Sequence, residues 1–355
     1  MDDLVTRHAT KPQSVSRRFL VLQRRGLWPR RFGGVVLTAA LATASLSAAA
    51  QSANPAARFP EHPIRLVVGY TPGGGADIMA RLLQKQLTSA LKQSVIVENR
   101  PGAGQNIADT YVARAAPDGY TLLVSSSALA VNPSLFPKLS ENPLTAYAPI
   151  ALFAQSPNLL VVNPRLPVNS VAELIAYEKK KPDGGNFSSS GNGSTQHLSG
   201  EIFGQKAGIK TTHVPYKGSA PSVAAVMSGE VDFSFVNIPS AKPLVLAHQL
   251  KALAVTSAQR SPLLPDVPTM TQAGVDGMNV AAWYGLLAPA GTPAPIVAKL
   301  NAAVNHAVSG EPLKSQLVNL GSDPTVESPD YFAHYLADDT HRWAGAVKSA
   351  GIHPQ

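Results

Sequence analysis

Cysteine is absent from the 355-residue sequence. Without a thiol, the chain can form no disulfide, presents no thiolate nucleophile and offers no sulfur ligand to a metal ion. The same absence argues against a lipid anchor, because such an anchor is attached to a cysteine. Hydrophobic residues make up 45% of the chain, so a core of ordinary size can stabilise the fold without cross-links.

The sequence also lacks the motifs expected of an enzyme or a nucleotide-binding protein. It contains no Gly-x-Ser-x-Gly turn, no His-Glu-x-x-His pair and no calcium loop. The glycines at 73–75 are not followed by a P-loop lysine, and the loop at 102–104 lacks the third glycine of a dinucleotide site. His197 is the one acid–base candidate, and the sequence supplies no evident partner to orient it. We therefore expect no catalysis and no cofactor.

Net positive charge is small outside the N-terminal region. Of the formal charge of +8, residues 1–50 contribute +6 through eight basic and two acidic side chains, which leaves +2 for residues 51–355. A nearly neutral body removes the support for nucleic-acid binding. The basic residues instead precede a short apolar stretch, Gly33 to Leu46, that ends in small residues at Ala50. This pattern predicts a signal peptide over 1–50 with cleavage near Ala50, hence a periplasmic protein; a retained anchor is the alternative.

Downstream of this segment, short apolar runs alternate with helix-period segments, a pattern typical of an α/β fold with largely parallel sheets. We predict strands at 64–68, 95–97 and 121–124, with helices at 77–91 and 106–115 between them. A long extended segment at 152–162 predicts a crossing into a second lobe, and another at 280–287 predicts the return. The predicted organisation is then 51–156 for the first part of lobe 1, 157–283 for lobe 2, and 284–355 for the return to lobe 1 with C-terminal helices.

In the first lobe, each predicted strand ends in a loop of small residues. Ligands bind at the carboxyl ends of strands in open α/β sheets, so these loops are candidate ligand contacts. Backbone N–H groups exposed by glycine before a helix also attract anions, although a tight turn alone would equally require glycine. The candidates here are Tyr70, Pro72, Gly73, Gly74, Gly75, Asp77, Pro101, Gly102, Ala103, Gly104, Ser125 and Ser126.

In the second lobe, two polar segments offer hydrogen-bonding groups. The segment 188–197 places five hydroxyl-bearing residues and two glycines directly before a predicted helix, more than one N-cap requires. The segment 213–219 brings an aromatic ring, a cation and a hydroxyl to the end of a probable strand, although a lysine there could equally be a solvated surface charge. The candidates are Ser190, Asn192, Gly193, Ser194, Thr195, His197, Tyr216, Lys217 and Gly218.

Five motifs in this order resemble the Bug-type receptors, which are the substrate-binding subunits of tripartite tricarboxylate transporters. The motifs are IRLVVGYTPGGGAD at 64–77, VENRPGAG at 97–104, FSSSGNGSTQHLSGE at 187–201, VPYKGSAP at 214–221 and WYGLLAPAGTP at 283–293. The resemblance implies a type II periplasmic-binding-protein fold, in which two α/β lobes joined by two hinge strands close on a ligand in the cleft between them. It also implies that the first loop and the Pro-Gly-Ala-Gly loop act as pincers on a carboxylated small molecule.

One position departs from the family pattern. Many relatives place an aspartate where Val236 stands in this sequence, followed here by Asn237. The loss of that acid disfavours a ligand with an amino group and favours a plain carboxylate, with Asn237 as a further candidate contact.

The partners that this resemblance implies are a small carboxylate and the membrane components of a tripartite transporter, bound by a monomer. Two alternatives stay open. The same fold can present its ligand to a membrane sensor kinase, because a fold does not determine its partner. A hydrolase or isomerase of small acids is the enzyme alternative.

Overall fold

In the computed structural model, which describes residues 58–349 and 351–352, short strands alternate with helices. The strands are β1 (Ile64–Val68), β2 (Val95–Asn99), β3 (Thr121–Ser126), β4 (Tyr147–Val162), β5 (Gly185–Ser189), β6 (Thr211–Pro215), β7 (Phe233–Asn237), β8 (Lys251–Val255), β9 (Ala281–Pro289) and β10 (Asp323–Pro324). The helices are α1 (Gly75–Leu91), α2 (Asn106–Ala113), α3 (Ala128–Leu135), α4 (Val171–Glu178), α5 (Thr195–Ala207), α6 (Ser219–Ser228), α7 (Ile238–Leu246), α8 (Ala294–Ser309), α9 (Leu313–Asn319) and α10 (Pro329–Ser349). The predicted signal peptide and its cleavage site lie outside the described residues.

The first lobe is built on a sheet with the order β2-β1-β3-β9-β4, and β10 pairs with β4. Strands β1, β2 and β3 are parallel, as their alternation with helices predicts. The apolar face of α1 packs on this sheet through Met79, Leu83 and Leu87, which are fully buried. This packing holds the N-terminus of α1 at the carboxyl end of β1.

The second lobe is built on a sheet with the order β8-β4-β7-β5-β6. Strands β5, β6 and β7 are parallel, and aromatic rings of Phe187, Phe203, Phe233 and Phe235 pack together in its core. As in the first lobe, helices follow the carboxyl ends of the strands. The parallel strands of both lobes therefore deliver helix N-termini towards the space between the sheets.

Strand β4 connects the two lobes. It pairs with β9 from Tyr147 to Pro157 and with β7 from Asn158 onward, so a single strand passes from one sheet into the other. The register of the β4–β9 pairing shifts near Pro149, which fits the missing N–H of proline and its usual place at bulges. The chain returns to the first sheet with β9.

The two-lobed α/β fold agrees with the sequence analysis, but the sheets are mixed rather than largely parallel. Strand β9 runs antiparallel to both β3 and β4, and β4 runs antiparallel to β7 and β8. The reason is geometric. Strand β4 leaves the first sheet and β9 comes back to it directly beside β4, so the two strands must run in opposite directions. The lobe boundaries at 156 and 283 remain predictions. Among the described helices, none has both the length and the apolar character to cross a bilayer.

Candidate functional site

A small cavity lies between the two lobes, at the carboxyl ends of their parallel strands. Its lining residues are Tyr70, Gly74, Gly75, Ala76, Ser126, Ser127, Ser190, Ser194, Thr195, Gln196, Ser219, Asn237, Ala282 and Tyr284. None of these described lining residues carries a charged side chain. Hydroxyl groups, amides and backbone dominate the surface, so any charge on a ligand must be stabilised by dipoles.

Five helices begin at this cavity. The lining residues include the cap or first turn of α1, α3, α5, α6 and α7. Ser194 caps α5 by accepting a hydrogen bond from the His197 N–H at 3.2 Å, whereas the other four helices have no side-chain cap in the described part of the chain. Each uncapped helix end presents N–H donors and about half a positive charge. Their convergence creates a site for an anion without a basic side chain.

On the side of the second lobe, Gln196 organises the polar groups. Its Nε2 donates to Ser219 Oγ at 2.8 Å and to Asn237 Oδ1 at 3.1 Å, while its Oε1 accepts from the Ser190 N–H at 2.9 Å. Asn237 Nδ2 in turn donates to Asn158 Oδ1 at 2.9 Å. These buried amides are held in one arrangement because each makes several hydrogen bonds.

On the side of the first lobe, two tyrosines face the cavity. The Tyr70 hydroxyl is 3.2 Å from Ser126 Oγ, and Ser126 Oγ donates to Gln105 Oε1 at 3.2 Å. The Tyr284 hydroxyl is buried and has no hydrogen-bond partner among the described residues. Burial raises the pKa of both phenols well above their usual range. Both therefore keep their protons and can donate, and Tyr284 Oη is the unused donor.

The lobes touch around the cavity. The Thr71 N–H donates to the Lys217 carbonyl at 3.2 Å, and Gly104 lies so close to Asn192 that a Cβ on Gly104 would be 2.3 Å from the Asn192 carbonyl oxygen. The space open to the centre of a water molecule is about 20 Å³. That space accommodates roughly one water, so a multi-carbon acid would require wider separation of the lobes.

Of the predicted contacts, one group lines the cavity itself: Tyr70, Gly74, Gly75, Ser126, Ser190, Ser194, Thr195 and Asn237. A second group lines an adjoining pocket of about 160 Å³ together with Ser190: Gly102, Ala103, Gly104, Asn192, Tyr216 and Lys217. A third group lines neither of these two pockets: Pro72, Gly73, Asp77, Pro101, Ser125, Gly193, His197 and Gly218.

The third group contains residues that shape the loops. Asp77 accepts hydrogen bonds from the Gly73 N–H, Arg81 Nε and Asn99 Nδ2, each at 2.9 Å. Burial acts to raise the pKa of this carboxyl, but the three hydrogen bonds outweigh burial and hold the pKa below its usual value. Ser125 similarly accepts from Gln105 Nε2 at 2.7 Å. Asp77 thereby fixes the backbone of the glycine loop beside the cavity, and Ser125 holds the Gln105 side chain in place.

Six of the lining residues were not predicted from the sequence: Ala76, Ser127, Gln196, Ser219, Ala282 and Tyr284. Most of them stand inside or directly beside the five family motifs, so the motifs located the region correctly. Tyr284 and Ala282 are different, because only the register of β9 determines which of its side chains face the cavity.

Among the described residues, one group of side chains is close enough to share a metal ion, namely His197, Glu201 and His213, whose ligand atoms lie within 4.8 Å of one another. The two imidazole rings are stacked, with centroids 4.0 Å apart and planes 19° apart. Lone pairs in nearly parallel rings do not converge on one point, and His213 Nε2 already lies 2.6 Å from Ser189 Oγ. The group therefore fits a packed pair of histidines better than a metal centre.

Residues 79–352 match the family model described as the tripartite tricarboxylate transporter family receptor. Protein BugT from Bordetella pertussis is 37% identical over 295 residues, which cover 82% of this chain and 90% of that protein. The solved structure of R. palustris Rpa4515 with adipate is 38% identical, with a TM-score of 0.81, and covers 84% of this chain and 100% of that one. MatC from Rhodopseudomonas palustris with bound malate is 36% identical, with a TM-score of 0.77, and covers 81% of this chain and 100% of that one.

Proposed function

This chain belongs to the family of tripartite tricarboxylate transporter receptors, and from that premise we propose that it is an exported solute-binding protein that captures a small carboxylate between its lobes. The family is one of periplasmic binding proteins. Two similar proteins have been solved with the dicarboxylates adipate and malate. A ligand of the same class is the simplest expectation here.

The main support for this proposal is that five helix N-termini converge on an uncharged polar cavity. A carboxylate would accept hydrogen bonds from backbone N–H groups of the first turns of α1 and α6, which belong to opposite lobes. The Tyr284 hydroxyl would supply a further donor. Such bonds are strong when water is excluded, so binding would favour contact between the lobes. The lining has no carboxylate to receive an ammonium group, which favours an acid without an amino group.

The export of the chain, its monomeric state and its delivery of ligand to transporter membrane components are part of the same proposal. Presentation of the ligand to a sensor kinase would use the same cleft, and deletion of neighbouring transporter genes would leave its signal intact. Hydrolysis or isomerisation of a small acid is the remaining alternative. The cavity lining offers no charged acid or base for such a reaction, and incubation with each bound acid followed by product analysis would detect turnover.

Thermal unfolding of the purified protein tests the proposal directly. The panel contains malate, adipate, citrate, glutamate and benzoate, with adipamide as the uncharged match of adipate. An acid at about 100 times its Kd should stabilise the protein by ~2.7 kcal/mol, and adipamide should not. If adipamide stabilised the protein as much as adipate, the anion site would be wrong. If no acid stabilised it after removal of co-purified ligand, the carboxylate class would be wrong.

A further inference from the structure

A chain of three buried amide side chains runs from the cavity between the lobes to the strand that connects them. Its members are Gln196, Asn237 and Asn158. Gln196 and Asn237 line the cavity, whereas Asn158 lies where β4 passes from the first sheet into the second. An amide donates through its nitrogen and accepts through its oxygen, so the direction of this chain decides what the cavity offers to a ligand.

One backbone N–H group fixes the direction of the amide chain. The Ser190 N–H donates to Gln196 Oε1 at 2.9 Å, and a backbone N–H can only donate, so the amide oxygen of Gln196 must face Ser190. Gln196 Nε2 consequently faces Asn237 Oδ1, at 3.1 Å. Asn237 Nδ2 then donates to Asn158 Oδ1 at 2.9 Å, and Asn158 Nδ2 donates to Ser199 Oγ at 3.3 Å. Each amide takes its orientation from the one before it.

The whole amide chain lies on the second lobe and is held at its far end. The Asn158 N–H donates to Thr256 Oγ1 at 2.9 Å, and Thr256 Oγ1 donates to the Val280 carbonyl beside the start of β9. The orientation of the amides therefore does not depend on contact between the lobes. A group that is fixed before the ligand arrives loses little entropy on binding, which increases its contribution to affinity.

Asn237 presents its amide oxygen to the cavity as a result. This oxygen has two lone pairs, and the bond from Gln196 uses one of them in the described structure. A Cβ placed on Gly75 would lie 3.0 Å from Asn237 Oδ1 and 2.4 Å from the Tyr284 hydroxyl, so both oxygens lie close to the start of α1. The cavity thus places one acceptor beside the donors that are proposed to hold the carboxylate.

A ligand that matches these groups carries a hydrogen-bond donor next to its carboxylate. A hydroxyl on the adjacent carbon is a neutral donor of this kind. A 2-oxo group has lone pairs only, so it would face the Asn237 oxygen without a hydrogen bond. An ammonium group also donates, but the described lining has no carboxylate to offset its charge.

We propose that the cleft selects 2-hydroxy acids over the matching plain and 2-oxo acids, and that Asn237 Oδ1 makes this selection. Gln196 and Asn158 are positioning residues, because they hold the oxygen of Asn237, and not its nitrogen, towards the ligand. The inference rests on the proposed carboxylate function and narrows its ligand class.

The test compares three acids of the same length, 2-hydroxyglutarate, glutarate and 2-oxoglutarate, by isothermal titration of the purified protein at pH 8. Their chains are longer than that of malate and shorter than that of adipate. We expect 2-hydroxyglutarate to bind about tenfold or more tightly than either of the others, because a buried acceptor that finds no donor opposes binding.

Two variants with the same added charge separate orientation from electrostatics. Gln196→Glu puts a carboxylate oxygen opposite Asn237, which should then turn its Nδ2 towards that oxygen and the cavity, so 2-oxoglutarate should gain about tenfold relative to 2-hydroxyglutarate. The N-terminus of α5 favours the ionised form of the new carboxyl. Asn158→Asp keeps an acceptor opposite Asn237 Nδ2, so the preference for the hydroxy acid should remain. Either charge should weaken all three acids, and the readout is therefore the ratio of their affinities.

Equal affinity of the unmodified protein for the three acids would overturn the inference, and this outcome does not depend on whether a variant folds. An unchanged ratio in a folded Gln196→Glu protein would remove the amide chain from the selection. Loss of the preference in Asn158→Asp would mean that charge, and not orientation, sets it. If malate or adipate binds while these comparisons fail, the carboxylate function stands alone; if no acid binds, both proposals are wrong.

Discussion

Replacement of Gly75 by alanine tests whether the start of α1 is part of the ligand cleft. A Cβ on Gly75 would lie 2.4 Å from Tyr284 Oη and 3.0 Å from Asn237 Oδ1, two groups from different lobes. Tyr284 is 2% exposed, so its phenol cannot move aside easily. Overpacking of this kind costs ~1–3 kcal/mol. The Tyr284 contact lies within the first lobe and displaces the hydroxyl proposed to bind the ligand, whereas the Asn237 contact penalises the conformation in which the lobes meet. The affinity for malate or adipate should therefore fall about 5- to 150-fold.

Gly345→Ala, at an exposed position of α10 outside the cleft, is the matched control. Its added Cβ would meet nothing within 4 Å. Isothermal titration with both acids, and thermal unfolding without ligand, should show reduced affinity for Gly75→Ala alone. Gly75→Ala should also unfold at a somewhat lower temperature without ligand, because its clash with Tyr284 lies within the first lobe, whereas the control should keep the stability of the unmodified protein. An unchanged affinity of Gly75→Ala would refute the placement of the ligand between Gly75, Tyr284 and Asn237.

Three further predictions concern single side chains. Tyr284→Phe should weaken carboxylate binding about tenfold or more. The free energy of unfolding should stay unchanged, since the Tyr284 hydroxyl has no partner in the described structure. A loss of stability equal to the loss of binding free energy would contradict this prediction. Asp77→Asn should lose ~1–3 kcal/mol of stability at pH 7 in denaturant titrations. Because the folded pKa of Asp77 is lowered, that difference from the unmodified protein should disappear as the pH falls below about 4. Burial lowers the pKa of His213 to about 2, and the neighbouring His197 lowers it further in the same direction. The unmodified protein should therefore lose ~2 kcal/mol of folding stability between pH 6.5 and 5, because the unfolded chain takes up a proton on this histidine and the folded chain does not. His213→Asn should lose less stability over the same interval.

The sequence predicted the first lobe's parallel core well because its strands and helices are regular. The five-residue strand β1, the glycine loop and the amphipathic helix α1 follow one another without interruption, and the structure agrees to within two residues. Helices α6 and α7 were not predicted. Proline stands near the start of both, at Pro221 and Pro239, and is tolerated there because the first N–H groups of a helix need no partner.

The site was only partly predictable, for two physical reasons. Polar residues at a strand end can contact a ligand or fix a loop, and the sequence does not distinguish these uses. Ser125 and Ser126 both hydrogen-bond Gln105, but only Ser126 lines the cavity. Side chains in a strand alternate between faces, and the long-range pairing of β9 with β3 and β4 sets which residues of the motif at 283–293 face the cavity.

The pairing of β3 with β9 also constrains the order in which the chain can fold. It joins Leu123 to Leu287, so the second lobe lies within the loop that this contact must close. Closure of a long loop loses entropy before the contact contributes stability, and topologies of high contact order fold slowly. The β5–β7 pairing lies within the second lobe and can form earlier. A nascent chain would thus lack a finished first sheet until β9, in its C-terminal third, was made, although its second lobe could already be paired.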